Sequence, residues 1–148
     1  MRALLQRTSG ASVAVQGETV SSIGPGLVVL LGVGPADDES TVEGLARRIV
    51  ELRLFRDNGG RTNLSLLNTG GAVLLISQFT LFADTRRGRR PGFTGAAPPE
   101  QAERLYEHMA TELRGVGVEV ATGRFGAEMA VQLTNDGPFT IWLDTDER

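Results

Sequence analysis

Ser77-Gln78-Phe79-Thr80-Leu81 sets two hydroxyls, a carboxamide and a run of main-chain N–H groups directly after an aliphatic stretch. Donors of this kind can hold a carbonyl oxygen as negative charge develops on it, and the end of a buried strand is a usual place for functional loops in α/β sheets. An ordinary strand terminus explains the same residues, and both readings stay open from this segment alone. Asn135-Asp136-Gly137-Pro138-Phe139-Thr140 is the second candidate. Its plain reading is a tight turn between two strands. Its functional reading rests on an X–Pro bond, where a cis peptide costs little, and on a glycine that admits a close backbone approach. Arg86-Arg87-Gly88-Arg89-Arg90-Pro91 is the only dense basic run of a chain with net charge −3. It is either a solvated loop or a phosphate contact, since guanidinium forks match phosphate oxygens.

What the chain lacks limits its chemistry further. Without cysteine there is no disulfide, thiol nucleophile or Cys-ligated metal, and without lysine no Schiff base or P-loop lysine, because all 15 basic residues are arginine. The single histidine, His108, falls with Gln101, Arg104 and Thr111 on the polar side of a helical pattern. It reads as a solvated surface residue rather than a ligand or a base. Hydroxyls, carboxylates, amides, arginines and main chain remain. The acidic balance argues against a generally basic nucleic-acid binder but leaves a local patch possible.

These groups need a frame. The 148 residues, 41% hydrophobic and 22% charged, suit one globular domain over residues 1–148. The longest apolar run, Gly26 to Val33, falls short of the roughly 20 residues of a membrane helix. Arg2 and Arg7 bracket too few aliphatic residues for a signal peptide, so a cytoplasmic, membrane-free protein is expected. Patterning predicts strands at Arg2–Arg7 and Ser12–Gln16, a hairpin through Gly17-Glu18-Thr19 into Val20–Ile23, and a strand buried on both faces at Leu27–Val33. A helix capped by Asp37 or Asp38 should close near Arg53, with Asp57-Asn58-Gly59-Gly60 as a turn beyond it. A buried strand at Ala72–Ser77, a Gly- and Arg-rich loop from Asp84 to Gly95, and a helix opened by Pro98-Pro99 follow. Val116–Thr122, Met129–Thr134 and Phe139–Leu143 complete the strands. The order makes a mixed α/β (α+β) domain with two main helices.

Taken together, five segments resemble the bacterial-type D-aminoacyl-tRNA deacylases over Met1 to Leu143. They are Ala3-Leu4-Leu5-Gln6-Arg7 with Ala11-Ser12-Val13, the Ser77–Leu81 loop, Arg90-Pro91 with Phe93, Thr122-Gly123-Arg124-Phe125, and Asn135-Asp136-Gly137-Pro138. The resemblance implies a barrel-like mixed sheet and a homodimer that hydrolyses the ester between a D-amino acid and the 3′-terminal adenosine of tRNA, with neither metal nor cofactor. It implies that a cis Gly137-Pro138 pair enters the other subunit's site and rejects L side chains, leaving glycyl-tRNA as an expected second substrate. Arg7 would fix that pair, and main-chain N–H groups around Phe79 and Thr80 would polarise the ester carbonyl beside Gln78 and Ser77. Phe125, Met129 and Asn135 would bind substrate, and Arg86, Arg87, Arg89 and Arg90 the tRNA. The ribose 2′-OH assists in this family, so Thr80 is read as a positioning residue.

Three positions depart from the commoner pattern: Phe82 for tyrosine, Gly92 for serine and Phe139 for valine. They bear on rate and side-chain preference more than on reaction type. Two rivals are a non-catalytic nucleic-acid-binding module using Arg86 to Arg90, and a hydrolase of small D-amino-acid esters or peptides.

Overall fold

The alternation of buried and half-buried positions continues through β1 (Arg2–Val15), which a computed structural model covering residues 1–147 shows as a single 14-residue strand rather than two. A two-residue turn, with Gln16 and Gly17 at φ 51° and 80°, leads into β2 (Glu18–Ile23), whose first two residues, Glu18 and Thr19, the sequence assigns to the turn. β3 (Gly26–Gly32) takes Arg2–Thr8 along one edge of β1, and β2 takes Ala11–Val15 along the rest of that edge.

A helix α1 (Glu39–Glu51) follows, with the Asp38 carboxylate accepting the Thr41 amide at 2.9 Å. It ends at Glu51 because a short hairpin begins at once: β4 (Arg53–Arg56) and β5 (Thr62–Ser65), joined around the expected Asp57–Gly60 turn. Neither strand is marked by the sequence pattern, nor is the single-turn helix α2 (Leu66–Thr69) that follows them. β6 (Ala72–Ser77) lies parallel to β3, and α3 (Pro99–Gly115) opens at the Pro98-Pro99 pair as expected. The stretch after α3 is strand only at β7 (Val120–Thr122), parallel to β6; Gly117, at φ 90°, turns the chain first.

The last strand, β8 (Ala130–Asp144), runs along the other edge of β1 from Ala14 to Arg2, where two strands and a turn had been expected. Gln6 pairs with Thr140 and Thr8 with Asn135, so Asp136, Gly137, Pro138 and Phe139 bulge out opposite Arg7 alone. The "turn" residues form an excursion from a continuous strand.

The sheet order is β2-β1-β3-β6-β7 with β8 on β1, and it curls almost closed: the Ser21 hydroxyl of β2 donates to the Thr122 carbonyl of β7 at 2.7 Å. Alternation in β3 and β6 builds two cores. Leu27, Val29, Leu31, Val73 and Leu75 face Leu45, Ile49, Leu105, Met109 and Leu113 of the helices. Val28, Leu74 and Ile76 pack inside the curled sheet with Val13 and Ile23. The expectation of a strand buried on both faces holds for β3, and the architecture is the expected mixed α+β domain.

Tyr106, the chain's only tyrosine, ties α3 to β6 by donating its buried hydroxyl to the Leu75 carbonyl at 2.8 Å. Burial raises its pKa from 10.0 to about 12. An acid whose folded pKa lies above its unfolded value releases its proton first in the unfolded chain, so stability falls as pH rises between these values. Tyrosinate absorbance of the native protein should rise only near pH 12, and Tyr106→Phe should flatten the alkaline loss of stability. Ionisation at the ordinary tyrosine value in the folded chain would contradict this placement.

Candidate active site

The Leu31 carbonyl at the end of β3 accepts the Gln78 amide at 2.7 Å, which carries the chain from β6 straight into a 3-10 turn over Phe79–Phe82. In that turn the Leu81 amide donates to the Gln78 carbonyl at 3.2 Å and the Ala83 amide to the Thr80 carbonyl at 3.0 Å. The first amides of a 3-10 turn have no intrahelical acceptor, and the Phe79 and Thr80 N–H groups have no acceptor among the described residues. The Gln78 carboxamide donates to the Thr80 hydroxyl and fixes both side chains beside those amides. The Phe79 ring, 55% exposed, meets Phe93 edge to face at 5.0 Å between centroids.

Below this turn lies a cavity of about 570 Å³ walled by Ser77, Gln78, Phe79, Phe125 and Met129 of the expected residues. Phe93, Ala96, Ala97, Pro99, Ala102, Gly126 and Ala127 complete much of its rim, and no residue of the wall carries an ionisable side chain. The Tyr106 ring backs Phe125 at 5.8 Å. Gly123 is needed behind Met129, because a Cβ there would lie 2.6 Å from the Met129 sulfur and 3.0 Å from Ile76 Cδ1.

Arg7, Asn135, Gly137 and Pro138 form a separate group. Arg7 is buried, with its Nε donating to the Asp136 carbonyl at 2.9 Å and its Nη1 to the Leu54 carbonyl of β4 at 2.7 Å. Its guanidinium carbon sits 4.5 Å from the Phe139 ring centroid, so the bulk at that departure from the family pattern lies against a cation. Asn135 clasps the excursion by accepting the Phe139 amide and donating to the Thr140 hydroxyl, each at 2.8 Å. The Gly137–Pro138 bond is cis, and Gly137 takes φ 149°, where a Cβ would meet the Phe139 nitrogen at 2.7 Å. Gly137 and Pro138 are exposed and lie outside the cavity wall; Arg7 and Asp136 line a different depression.

Arg86, Arg87, Arg89 and Arg90 lie on an exposed loop closed by Asp84 and Gly92. Arg86 is committed: its Nε and Nη2 donate to both Asp84 carboxylate oxygens at 2.9 and 2.8 Å, holding that carboxyl well below the usual carboxylate range. The Phe82 ring lies under the Arg2 guanidinium at 4.4 Å. His108 is not the fully solvated residue expected, for its Nε2 is shielded between Glu43 and Glu112.

The family described as D-Tyr-tRNA(Tyr) deacylase matches residues 4–144. The chain belongs to the D-aminoacyl-tRNA deacylase family. A D-aminoacyl-tRNA deacylase of Cereibacter sphaeroides is 55% identical over 98% of this chain and 100% of its own, and one of Lacticaseibacillus casei is 54% identical over 100% of both. A solved structure titled c-Myc DNA Unwinding Element Binding Protein superposes with a TM-score of 0.93 at 40% identity, covering 98% of this chain and 99% of its own. A second, described as a probable eukaryotic D-amino acid tRNA deacylase, shares the fold with a TM-score of 0.84 at 17% identity over 96% and 97% of the two chains. The enzyme is thus a hydrolase of D-aminoacyl-tRNA.

Sequence reasoning missed the small apolar wall of the deacylase's cavity and the β4 carbonyl that holds Arg7. Alanines and a helix-opening proline carry no chemical signature, and their only signal was adjacency to Phe93. Gly123→Ala should swing the flexible Met129 side chain into the cavity, raising KM for aminoacyl-tRNA while costing about 1–3 kcal/mol of stability. Steady-state deacylation and urea unfolding check this; an unchanged KM would contradict the role given to Gly123.

Proposed function

We propose that the deacylase binds the aminoacylated 3′ end of tRNA in the 570 Å³ cavity and hydrolyses the D-aminoacyl ester with help from the ribose 2′-OH. Water adds to the carbonyl carbon, the bond to the 3′-oxygen breaks, and that oxygen takes a proton as the amino acid leaves. The observation that carries this reading is the unpaired amide of Phe79, which walls the cavity, with that of Thr80 next to it in the chain, beside a wall without ionisable groups. Such a site can polarise a carbonyl but has no base of its own, so the proton-handling group comes with the substrate. Thr80, held by Gln78, positions rather than attacks. Phe125 and Met129 give the apolar surface for the terminal nucleoside.

Chiral rejection belongs to Gly137 and Pro138 supplied by a second copy of the chain, so the working unit is a homodimer. Support comes from their exposure and their separation from their own chain's cavity, together with the fixed carriage that Arg7 and Asn135 give them. A rigid backbone wall excludes a Cβ on the L side and excludes nothing from glycine, so glycyl-tRNA, including glycine mischarged on alanine tRNA, is a second substrate. The activity is proofreading of charged tRNA in the cytoplasm; among the described residues no helix is long and apolar enough to cross a membrane. Arg87, Arg89 and Arg90, with Arg86 braced on Asp84, contact tRNA phosphates.

Purified protein should release D-tyrosine from D-tyrosyl-tRNA in the presence of a chelator and leave L-tyrosyl-tRNA intact. If neither ester is cleaved while tRNA binds, a nucleic-acid-binding module replaces this reading. Thr80→Ala should keep turnover within about tenfold, far from the ~10⁶-fold loss that follows removal of a nucleophile. Neutralising Arg87, Arg89 and Arg90 together should weaken tRNA binding and lower the slope of log affinity against log salt by about one per lost phosphate contact. An unchanged slope would remove these arginines from the interface.

A further inference from the structure

We propose that Glu43 of α1 with His108 and Glu112 of α3 forms a divalent-cation site, preferring zinc over calcium and magnesium, that clamps the two helices together. One imidazole nitrogen and two carboxylate oxygens lie within 4.8 Å of one another. His108 Nε2 is shielded from solvent yet has no hydrogen-bond partner among the described residues. Its polar neighbours are Glu112 Oε1 at 3.8 Å and Glu43 Oε1 at 4.0 Å. Those separations are too long for hydrogen bonds. They are close to what two ligands on one ion require, since metal–ligand bonds of about 2.0–2.2 Å in a tetrahedral shell place ligand atoms roughly 3.4 Å apart. The half-exposed glutamates need only small side-chain rotations to close the difference.

The neighbouring charges sharpen the case. One helical turn earlier, Arg104 pairs with Glu39, so that rung between α1 and α3 is neutral. The next rung sets two carboxylates around one imidazole, and a divalent cation bound there would balance the charge of both. The ligand set selects the ion: calcium and magnesium favour all-oxygen shells, whereas zinc accepts imidazole and carboxylate together and completes its shell with water. None of the three residues belongs to the catalytic cavity, whose α3 contribution is Pro99 and Ala102 at the helix start. The role is structural and independent of ester hydrolysis.

Zinc titrated into the untagged, chelator-stripped protein tests the proposal through two readouts, the melting temperature and the NMR signals of the imidazole, which is the only one in the chain. Zinc should bind one ion per chain, raise Tm, and shift the imidazole signals until one equivalent has been added. His108→Ala should weaken binding by more than the roughly 10–100-fold that losing an outer-shell partner costs. Glu43→Gln, an exposed substitution that leaves the helix intact, should lose the Tm rise. Imidazole signals and Tm indifferent to stoichiometric zinc would overturn the proposal, as would a His108→Ala protein that binds zinc as tightly as the parent.

Discussion

The Arg7 guanidinium is the contact on which the unusual part of this fold depends. It is buried in the middle of β1, and a buried charge is tolerated only when its donors are met. Here the Leu54 carbonyl, the Asp136 carbonyl and, at 3.5 Å, an Asp136 carboxylate oxygen meet them. Those acceptors come from the β4–β5 hairpin and from the bulge in β8. One side chain therefore fixes the strand that three others pair with, the hairpin beside it, and the excursion that carries Gly137 and Pro138. Arg56 adds only an exposed contact to Asp136 at 3.4 Å, a geometry that contributes little in water.

A second constraint positions the Phe79–Phe82 turn. β3 and β6 are buried on both faces, so the end of β6 cannot shift without disturbing two cores at once. The Phe79–Phe82 turn starts from that anchored end, and the Arg2 guanidinium braces it by donating to the Leu81 carbonyl at 3.0 Å while lying over the Phe82 ring. Rigid placement of unpaired amides is what electrostatic stabilisation of a developing oxyanion needs. An apolar wall below them lowers the local dielectric and strengthens each donor.

Periodicity made α1, α3, β3 and β6 legible, because each buries a regular stripe or a continuous aliphatic run. It failed where side chains from elsewhere decide the conformation. Asn-Asp-Gly-Pro has turn chemistry, and only the clasp of Asn135 on Phe139 and Thr140, with Arg7 behind it, makes the segment a bulge in one long strand. β4 and β5 were invisible because four-residue strands such as Arg53–Arg56 and Thr62–Ser65 are mostly polar and too short to show alternation. The candidate site was legible where it uses hydroxyls, amides and arginines, as at Ser77 to Thr80 and at Arg7. It was silent where it uses Ala96, Ala97 and Ala102, whose contribution is shape.

The central claim is that a cavity on one chain works with the Gly137–Pro138 segment of another. Complementation between two defective chains tests it most directly. Ala127→Trp fills the cavity and Gly137→Ala alters the segment proposed to enter it from a second chain, so each variant alone should fail to hydrolyse D-tyrosyl-tRNA selectively. After co-refolding, the mixed dimer should regain one site built from an intact cavity and an intact segment, with D-selective activity restored. Mixed preparations no more active or selective than the two parents would show that each chain works alone and would contradict the account.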